Sequence, residues 1–392
     1  MRIGVFGGTF DPPHMGHLQA AKSAADQLGL DKLLLIPNAQ PPHKSVSQSS
    51  PPGEVRLEMT ELAVKPHPFF EVSDIEIRRG GKSYTVDTVA ELKLRYPGSE
   101  IYLFMGTDML LYIEKWRAFE KLLQEAVLAV FPRSAGETEQ IRSYSEYLKK
   151  EYGARIMIVE NEAIQISSSA LREMLPKREG RAYLDDEVYA YIVKHRLYGA
   201  KPDFNWLRER AYSMLKAKRI PHVKGCEEEA VRLAGRWGAD EELAREAAIL
   251  HDITKKCDLT EQLILCEKYG IIIDNVEKRE AKLLHAKTGA AIAKYEFGAS
   301  DEVFSAIFWH TTGRTGMTLL EKIVYMADYI EPTRHFDGVE ELRRLAYEDL
   351  DEALELGLDM SITDMLQRGI VPHEYTLEAL NWVKEVLAQR KN

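Results

Sequence analysis

Over the first half of the chain, short apolar runs of strand length alternate with stretches whose apolar positions recur at helical spacing. Met1–Phe6, Lys32–Pro37, Ile101–Met105, Val127–Phe131 and Ile156–Val159 are predicted strands, the second of them buried on both faces, and Phe69–Ile77 alternates like a half-buried strand. Gly16–Leu28, Glu54–Val64, Tyr84–Leu94 and Glu187–Leu197 read as helices. Strands separated by helices imply βαβ units and a mostly parallel sheet, so residues 1–197 form an α/β domain. Residues 198–204 read as a linker, and from Asn205 onward helical periodicity continues without alternating β-branched runs, which predicts an all-α domain over 205–392. No repeat relates the two halves.

The composition narrows the partners. A hydrophobic content of 45% and a charged content of 29% are those of a globular chain, and 392 residues suffice for two or three cores. The formal net charge of −10 argues against a nucleic-acid-binding surface but leaves nucleotides open, because their charge is met locally. Cys226, Cys257 and Cys266 form no C-x-x-C pair, so neither a disulfide framework nor a thiolate zinc site is indicated. No apolar run reaches the roughly 18 residues of a membrane span and no signal-like start is present, so a cytoplasmic chain is expected.

The first strand runs into Gly7-Gly8-Thr9-Phe10-Asp11-Pro12-Pro13-His14-Met15-Gly16-His17. Glycines let the backbone approach a ligand closely, and the following helix offers unpaired N–H groups and a positive dipole end, both suited to phosphate. His14 and His17, three apart, lie on one side of the first helical turn and can donate to a polyphosphate. A dinucleotide fingerprint fails on spacing, since Phe6 stands where its second glycine belongs. The His14-Met15-Gly16-His17 tetrad after Gly-Thr-Phe-Asp-Pro resembles the H-x-G-H signature of nucleotidyltransferases, in particular the bacterial nicotinate mononucleotide adenylyltransferases. The resemblance implies a Rossmann-like fold and attack of a substrate phosphate on the α-phosphorus of Mg-ATP, with Gly7, Gly8, Thr9, Phe10, Gly106 and Asp108 among the ATP-binding residues. Such chemistry needs no protein nucleophile, only two anions held in line and their charge neutralised.

Lys44 sits in a Ser/Pro-rich stretch ending at Gly53, and by the same resemblance it approaches the phosphates. Ile166-Ser167-Ser168-Ser169-Ala170-Leu171-Arg172 reads first as a helix N-cap, and resembles the family's I-S-S-T-x-I-R motif, which assigns Ile166, Ser167, Ser168 and Arg172 to ATP. Ser83-Tyr84-Thr85-Val86-Asp87-Thr88, Gly106-Thr107-Asp108 and Trp116 match the acceptor motifs of the nicotinate mononucleotide enzymes. By that match Thr85 and Tyr112 receive the nicotinate carboxylate and Trp116 stacks on the pyridine ring; a core position is the alternative for Trp116.

In the second half His222, His251, Asp252, His285, His310 and Asp328 are spread over successive predicted helices, with Asp252 and Asp328 each following an apolar run. A carboxylate in such a setting is costly to bury unless a cation or several donors meet it. Six imidazole and carboxylate groups suit iron, manganese or zinc, and the adjacent His-Asp pair allows one carboxylate to bridge two ions. Two ions about 4 Å apart promote hydrolysis at phosphorus. The series resembles the HD-domain phosphohydrolases, with Lys255 completing H-D-x-x-K. His310-Thr311-Thr312-Gly313 and Ala327–Arg334 resemble the subgroup that splits diadenosine tetraphosphate into two ADP with a two-iron centre. That resemblance makes Asp252 and Lys255 catalytic and Arg314 and Arg334 substrate-binding candidates.

The expected partners are therefore ATP, nicotinate mononucleotide and diadenosine tetraphosphate, with no nucleic acid and no membrane; a homo-oligomer is compatible. A nucleotide-sensing module, or a hydrolase of another phosphate ester, is the competing expectation for the second half, and a different phosphate acceptor for the first.

Overall fold

The computed structural model describes residues 1–41, 50–132, 135–160, 164 and 166–390. The contacts divide the chain into two compact units, Met1–Lys201 and Pro202–Asn392.

In the first unit the chain runs through β1 (Arg2–Gly8), α1 (Met15–Leu28), β2 (Lys32–Pro37), α2 (Gly53–Val64), β3 (Phe70–Val72), α3 (Ile75–Arg79), α4 (Thr85–Arg95) and β4 (Glu100–Gly106). It continues through α5 (Thr107–Leu111), α6 (Phe119–Glu125), β5 (Ala126–Phe131), α7 (Thr138–Tyr152), β6 (Arg155–Ile158), α8 (Ser168–Met174) and α9 (Asp186–Lys194). The described strands form one parallel sheet in the order β3-β2-β1-β4-β5-β6. The order reverses between β1 and β4, and ligands in such sheets bind beyond the strand carboxyl ends at that switch point. Gly7, Asn38 and Gly106 all lie at those ends.

The central strands bury both faces. Ile3, Val5, Leu34, Ile36, Leu103 and Met105 share a core with Val89 and Leu92 of α4 and Leu122 and Leu123 of α6. Gly4 leaves room for this packing, because a Cβ would fall 2.6 Å from the Leu33 Cδ1 and 2.7 Å from the Leu30 Cδ1, and both leucines would have to shift. The expected strand over Phe69–Ile77 is only partly formed. Pairing with Leu33–Leu35 ends at Val72, and the chain then turns into α3, whose Ile75 is drawn into the core. The alternation over this stretch reflects burial on a helical turn as well as on a strand, and tertiary packing decides between them. Tyr198, expected in the linker, belongs to the first unit, where its phenol donates to Asp11 Oδ1 at 2.7 Å.

The second unit is helical. It comprises α10 (Phe204–Ser213), α11 (Ile220–Trp237), α12 (Glu241–Leu250), α13 (Leu259–Tyr269), α14 (Ala281–Phe297) and α15 (Asp301–Trp309). α16 (Leu319–Ile330), α17 (Val339–Glu348), α18 (Leu350–Gln367) and α19 (Glu374–Arg390) follow. Helix α11 packs on α12 and α16, and α14 and α16 pack on α15, so the helices carrying the histidines surround one another. Ala230, Leu233, Ile323, Met326, Leu354 and Leu358 anchor the adjoining core. Among the described residues, no helix is long and apolar enough to cross a membrane.

Candidate functional sites

The loop after β1 is built by buried groups. Arg56 of α2, 1% exposed, donates to the carbonyl oxygens of Thr9 and Asn38, each at 2.7 Å. Asp11 is equally enclosed: it accepts from Tyr198 and from Ser50, and Arg172 donates to its backbone oxygen at 2.6 Å. Ser168 donates to the Pro12 carbonyl at 2.9 Å, so α8 is tied to the loop by two of the residues singled out from sequence. Ser167 is an N-cap, accepting from the Ala170 N–H at 3.1 Å, and Ser169 accepts from Arg172 at 3.1 Å. Gly7 and Gly8 thus close β1, Thr9 and Phe10 lie between it and α1, and Ile166 is half-buried before α8. Lys44 lies outside the described residues. Arg56, whose donors go chiefly to backbone carbonyls and also to Asn38 Oδ1 at 3.4 Å, carries no motif signal in the sequence.

His14 caps α1 and His17 stands in its first turn, their rings stacked with centroids 3.6 Å apart. The backbone N–H of His14 donates to His17 Nδ1 at 3.3 Å, which puts the His17 proton on Nε2 and leaves that nitrogen a donor. His14 Nδ1 is buried without a hydrogen-bond partner. Burial pulls the His14 imidazole down to about 4; burial, together with His14, takes His17 well below its usual range. Both rings are neutral near pH 7, each with a single N–H to offer an anion.

Around the expected acceptor site, Thr85 begins α4, Gly106 caps α5 and Asp108 lies in its first turn. Tyr112 is exposed, with Lys115 4.7 Å above its ring, and Trp116 is half-buried against the sheet core. Arg117 pairs with Asp87 at 3.4 Å and lies 4.7 Å over Tyr84, tying the Trp116 segment to the start of α4. Glu114, which the sequence did not flag, accepts from Tyr144 at 2.7 Å, Tyr152 at 3.0 Å and Tyr147 at 3.1 Å. The Tyr144 hydrogen bond first, with those of Tyr152 and Tyr147, lowers its carboxyl against the cost of burial. This clamp holds the turn between Tyr112 and Trp116 against α7.

In the second unit all six flagged residues converge. His222 of α11 lies with Nε2 3.3 Å from His251 Nε2 and 2.9 Å from Asp328 Oδ1. His285 Nε2 lies 3.2 Å from His310 Nε2. Asp252 stands between the pairs, with Oδ2 3.4 Å from His251 and Oδ1 3.2 Å from His285 and 3.9 Å from His310. His251, His285 and His310 each turn Nδ1 onto the carbonyl oxygen three residues back, at 2.7, 2.5 and 2.6 Å. His222 turns Nδ1 onto Glu331 Oε1 at 2.9 Å. Those acceptors fix the proton on Nδ1 and aim four Nε2 lone pairs at the centre, the orientation a metal requires. Gly225 makes room for this, since a Cβ there would strike Glu331 Oε2. Asp252 Oδ1 is buried without a hydrogen-bond partner, so the donor set fits divalent cations.

Charge around the centre is mixed. Despite burial, the charge of His251 with that of Lys255 holds Asp252 well below the usual carboxylate range, and Arg334 does the same for Asp328. Burial lowers His285 and His310. His251 is raised in spite of its burial because Asp252 faces it, so a proton there competes with a cation. Lys255 Nζ lies 2.9 Å from His285 Nε2 and 3.6 Å from Asp252 Oδ1, and burial lowers its pKa. Arg334 reaches Asp328 at 2.7 Å, and Arg219, absent from the sequence candidates, bonds Asp252. Arg314 instead makes a forked pair with the buried carboxylate of Glu321, at 3.1 to 3.2 Å.

Comparison with known proteins matches residues 5–174 to the cytidylyltransferase-like family and residues 219–333 to the HD domain. A protein of Carboxydothermus hydrogenoformans named "Probable nicotinate-nucleotide adenylyltransferase" is 41% identical over 198 residues, 50% of this chain and 98% of that protein. One of the same name from Oceanobacillus iheyensis is 39% identical, covering 50% of this chain and 96% of its own length. A Clostridium acetobutylicum structure described as a "predicted HD superfamily hydrolase involved in NAD metabolism" is 38% identical over 47% of this chain and 99% of that chain, with a TM-score of 0.46. Through its N-terminal half the chain belongs to the nicotinate-nucleotide adenylyltransferase family, and its C-terminal half carries an HD domain.

Proposed function

We propose that the chain is a bifunctional enzyme. Residues 1–197 transfer AMP from Mg-ATP to nicotinate mononucleotide, giving deamido-NAD and pyrophosphate; residues 205–392 hydrolyse a dinucleoside polyphosphate, with diadenosine tetraphosphate giving two ADP. The stacked His14 and His17 at the N-terminus of α1 carry the first assignment. An acceptor phosphate oxygen bonds to the α-phosphorus of ATP as the bond to the β-bridging oxygen breaks, and the electron pair leaves with pyrophosphate. His17 Nε2–H and the α1 N-terminus bind the polyphosphate, Lys44 and Arg172 add positive charge, and Thr85, Tyr112 and Trp116 seat the pyridine nucleotide.

For the second activity the bridging placement of Asp252 is the supporting observation. His222, His251, Asp328 and Asp252 would hold one divalent ion and His285, His310 and Asp252 another, iron first, with manganese or zinc as alternatives. When bound, such ions lower the pKa of water and screen charge at phosphorus. Lys255, Arg219 and Arg334 line the carboxylates and can turn to incoming phosphate oxygens; Arg314 would need to leave Glu321 to do so. Diadenosine tetraphosphate as substrate rests on the His310–Gly313 and Ala327–Arg334 motifs.

Chromatographic product analysis tests both halves in one sample supplied anaerobically with ferrous or manganous ion. Deamido-NAD from ATP and nicotinate mononucleotide, lost in His17→Ala, supports the first assignment, and its retention overturns it. Two ADP per tetraphosphate, lost in Asp252→Ala and with chelator, supports the second. Absence of turnover beside an intact transferase points to another phosphate ester or to a sensor.

A further inference from the structure

Helix α11 carries Cys226 one turn beyond His222, so a thiol shares the helix face that carries the imidazole. Cys226 is 1% exposed, and its Sγ lies 3.2 Å from His222 Nε2 and 4.0 Å from Asp328 Oδ1. The ligand atoms of His222, Cys226, His251 and Asp328 all fall within 4.8 Å of one another. Around a four-coordinate ion with bonds of about 2.0–2.1 Å to nitrogen or oxygen and about 2.3 Å to sulfur, neighbouring ligand atoms stand about 3.3–3.6 Å apart. The distances among these four groups, 2.9 Å for His222–Asp328, 3.2 Å for Cys226–His222, 3.3 Å for His222–His251, 3.9 Å for His251–Asp328 and 4.0 Å for Cys226–Asp328, bracket that spacing. Cys226 also touches the apolar core through Ala230 and its neighbours, a role that valine or alanine would fill without sulfur.

We propose that Cys226 is a thiolate ligand to the ion held by His222, His251 and Asp328, with Asp252 shared between the two halves of the centre. This rests on the metal-centre reading above and extends it. On binding, the thiol proton is released to solvent and a sulfur–metal bond forms. The centre is then chemically asymmetric. Its Cys226 half offers nitrogen, oxygen and sulfur and selects a softer ion such as zinc, whereas the His285, His310 and Asp252 half offers only nitrogen and oxygen.

Anaerobic titration of the metal-free full chain with cobalt(II) tests this, with bound cobalt measured by equilibrium dialysis alongside the absorption spectrum. The expected result is a near-ultraviolet thiolate-to-cobalt charge-transfer band that is lost in Cys226→Ser and Cys226→Val and kept in Cys257→Ser. The valine variant preserves the apolar packing should serine disturb folding, and the wild-type spectrum decides by itself. Cobalt bound with no such band, or a band surviving in both Cys226 variants, overturns the ligand assignment and leaves the metal centre standing. No cobalt bound at all overturns both.

Discussion

Asp252 Oδ1 lies 3.2 Å from His285 Nε2, yet this buried oxygen has no hydrogen-bond partner. The His285 proton is held on the opposite nitrogen by the Lys282 carbonyl at 2.5 Å, so Nε2 presents a lone pair to Oδ1, and the Lys255 ammonium, 2.9 Å from that nitrogen and 3.6 Å from that oxygen, is the cation that faces both until a metal replaces it. Such an arrangement is costly unless a cation is shared between the two atoms.

The centre should therefore melt according to its metal. Divalent ion at about a hundred times its dissociation constant should stabilise the helical unit by about 2.7 kcal/mol, with chelator reversing the gain. Differential scanning calorimetry of the full chain with manganese, zinc or chelator measures it. Asp252→Ala should show a reduced metal-dependent shift, and an undiminished shift would exclude Asp252 as a ligand.

Glu331 acts on the metal through His222. In Glu331→Ala, the His222 Nδ1 loses the acceptor 2.9 Å away that fixes its tautomer. Removing such an orienting partner weakens metal affinity by about 10–100-fold. A chelator-competition titration reads this directly, and Glu331→Gln, which keeps an acceptor, should recover most of the loss.

His14 should titrate near 4 in the free chain, since burial opposes its charge. The neutral ring is favoured by folding, so below about 6.5 the unfolded chain binds more protons, and the contribution of His14 to stability declines as pH falls from about 6.5 toward 4. NMR of the ring carbons gives the midpoint. Added ATP should move it upward, because a nearby polyphosphate favours the charged imidazole; a free-chain midpoint near 6.5 contradicts the buried placement.

Glu114 should be a positioning residue for the acceptor nucleotide. Glu114→Ala releases three phenols and unpins the turn between Tyr112 and Trp116. The expected result is a destabilisation of about 1–3 kcal/mol. Steady-state kinetics should show a raised KM for nicotinate mononucleotide with the KM for ATP nearly unchanged. Equal rises in both would make Glu114 a general structural support.

Much of this protein is decided locally. The apolar runs of Lys32–Pro37 and Ala126–Phe131, the glycine turn before His14 and the helical periodicity after Asn205 depend on near neighbours, and they specify a parallel sheet followed by helices. The order of the six metal-ligand candidates is equally local, because each lies on or at the end of a helix, His251 and Asp252 side by side after α12, and is marked by its residue type. Tertiary structure decided what depends on residues far apart in sequence. Alternation alone could not tell that Ile75 would leave the strand for a helical turn, where the core took its side chain. Arg56, Glu114, Glu331 and Arg219 carry no motif, since their roles arise from a carbonyl, a phenol, an imidazole or a carboxylate brought to them from elsewhere in the fold. Cys226 is the sharpest instance: in sequence it is an unpaired thiol one turn from His222, and only the packing of α11 against α12 and α16 brings His251 and Asp328 to the same place.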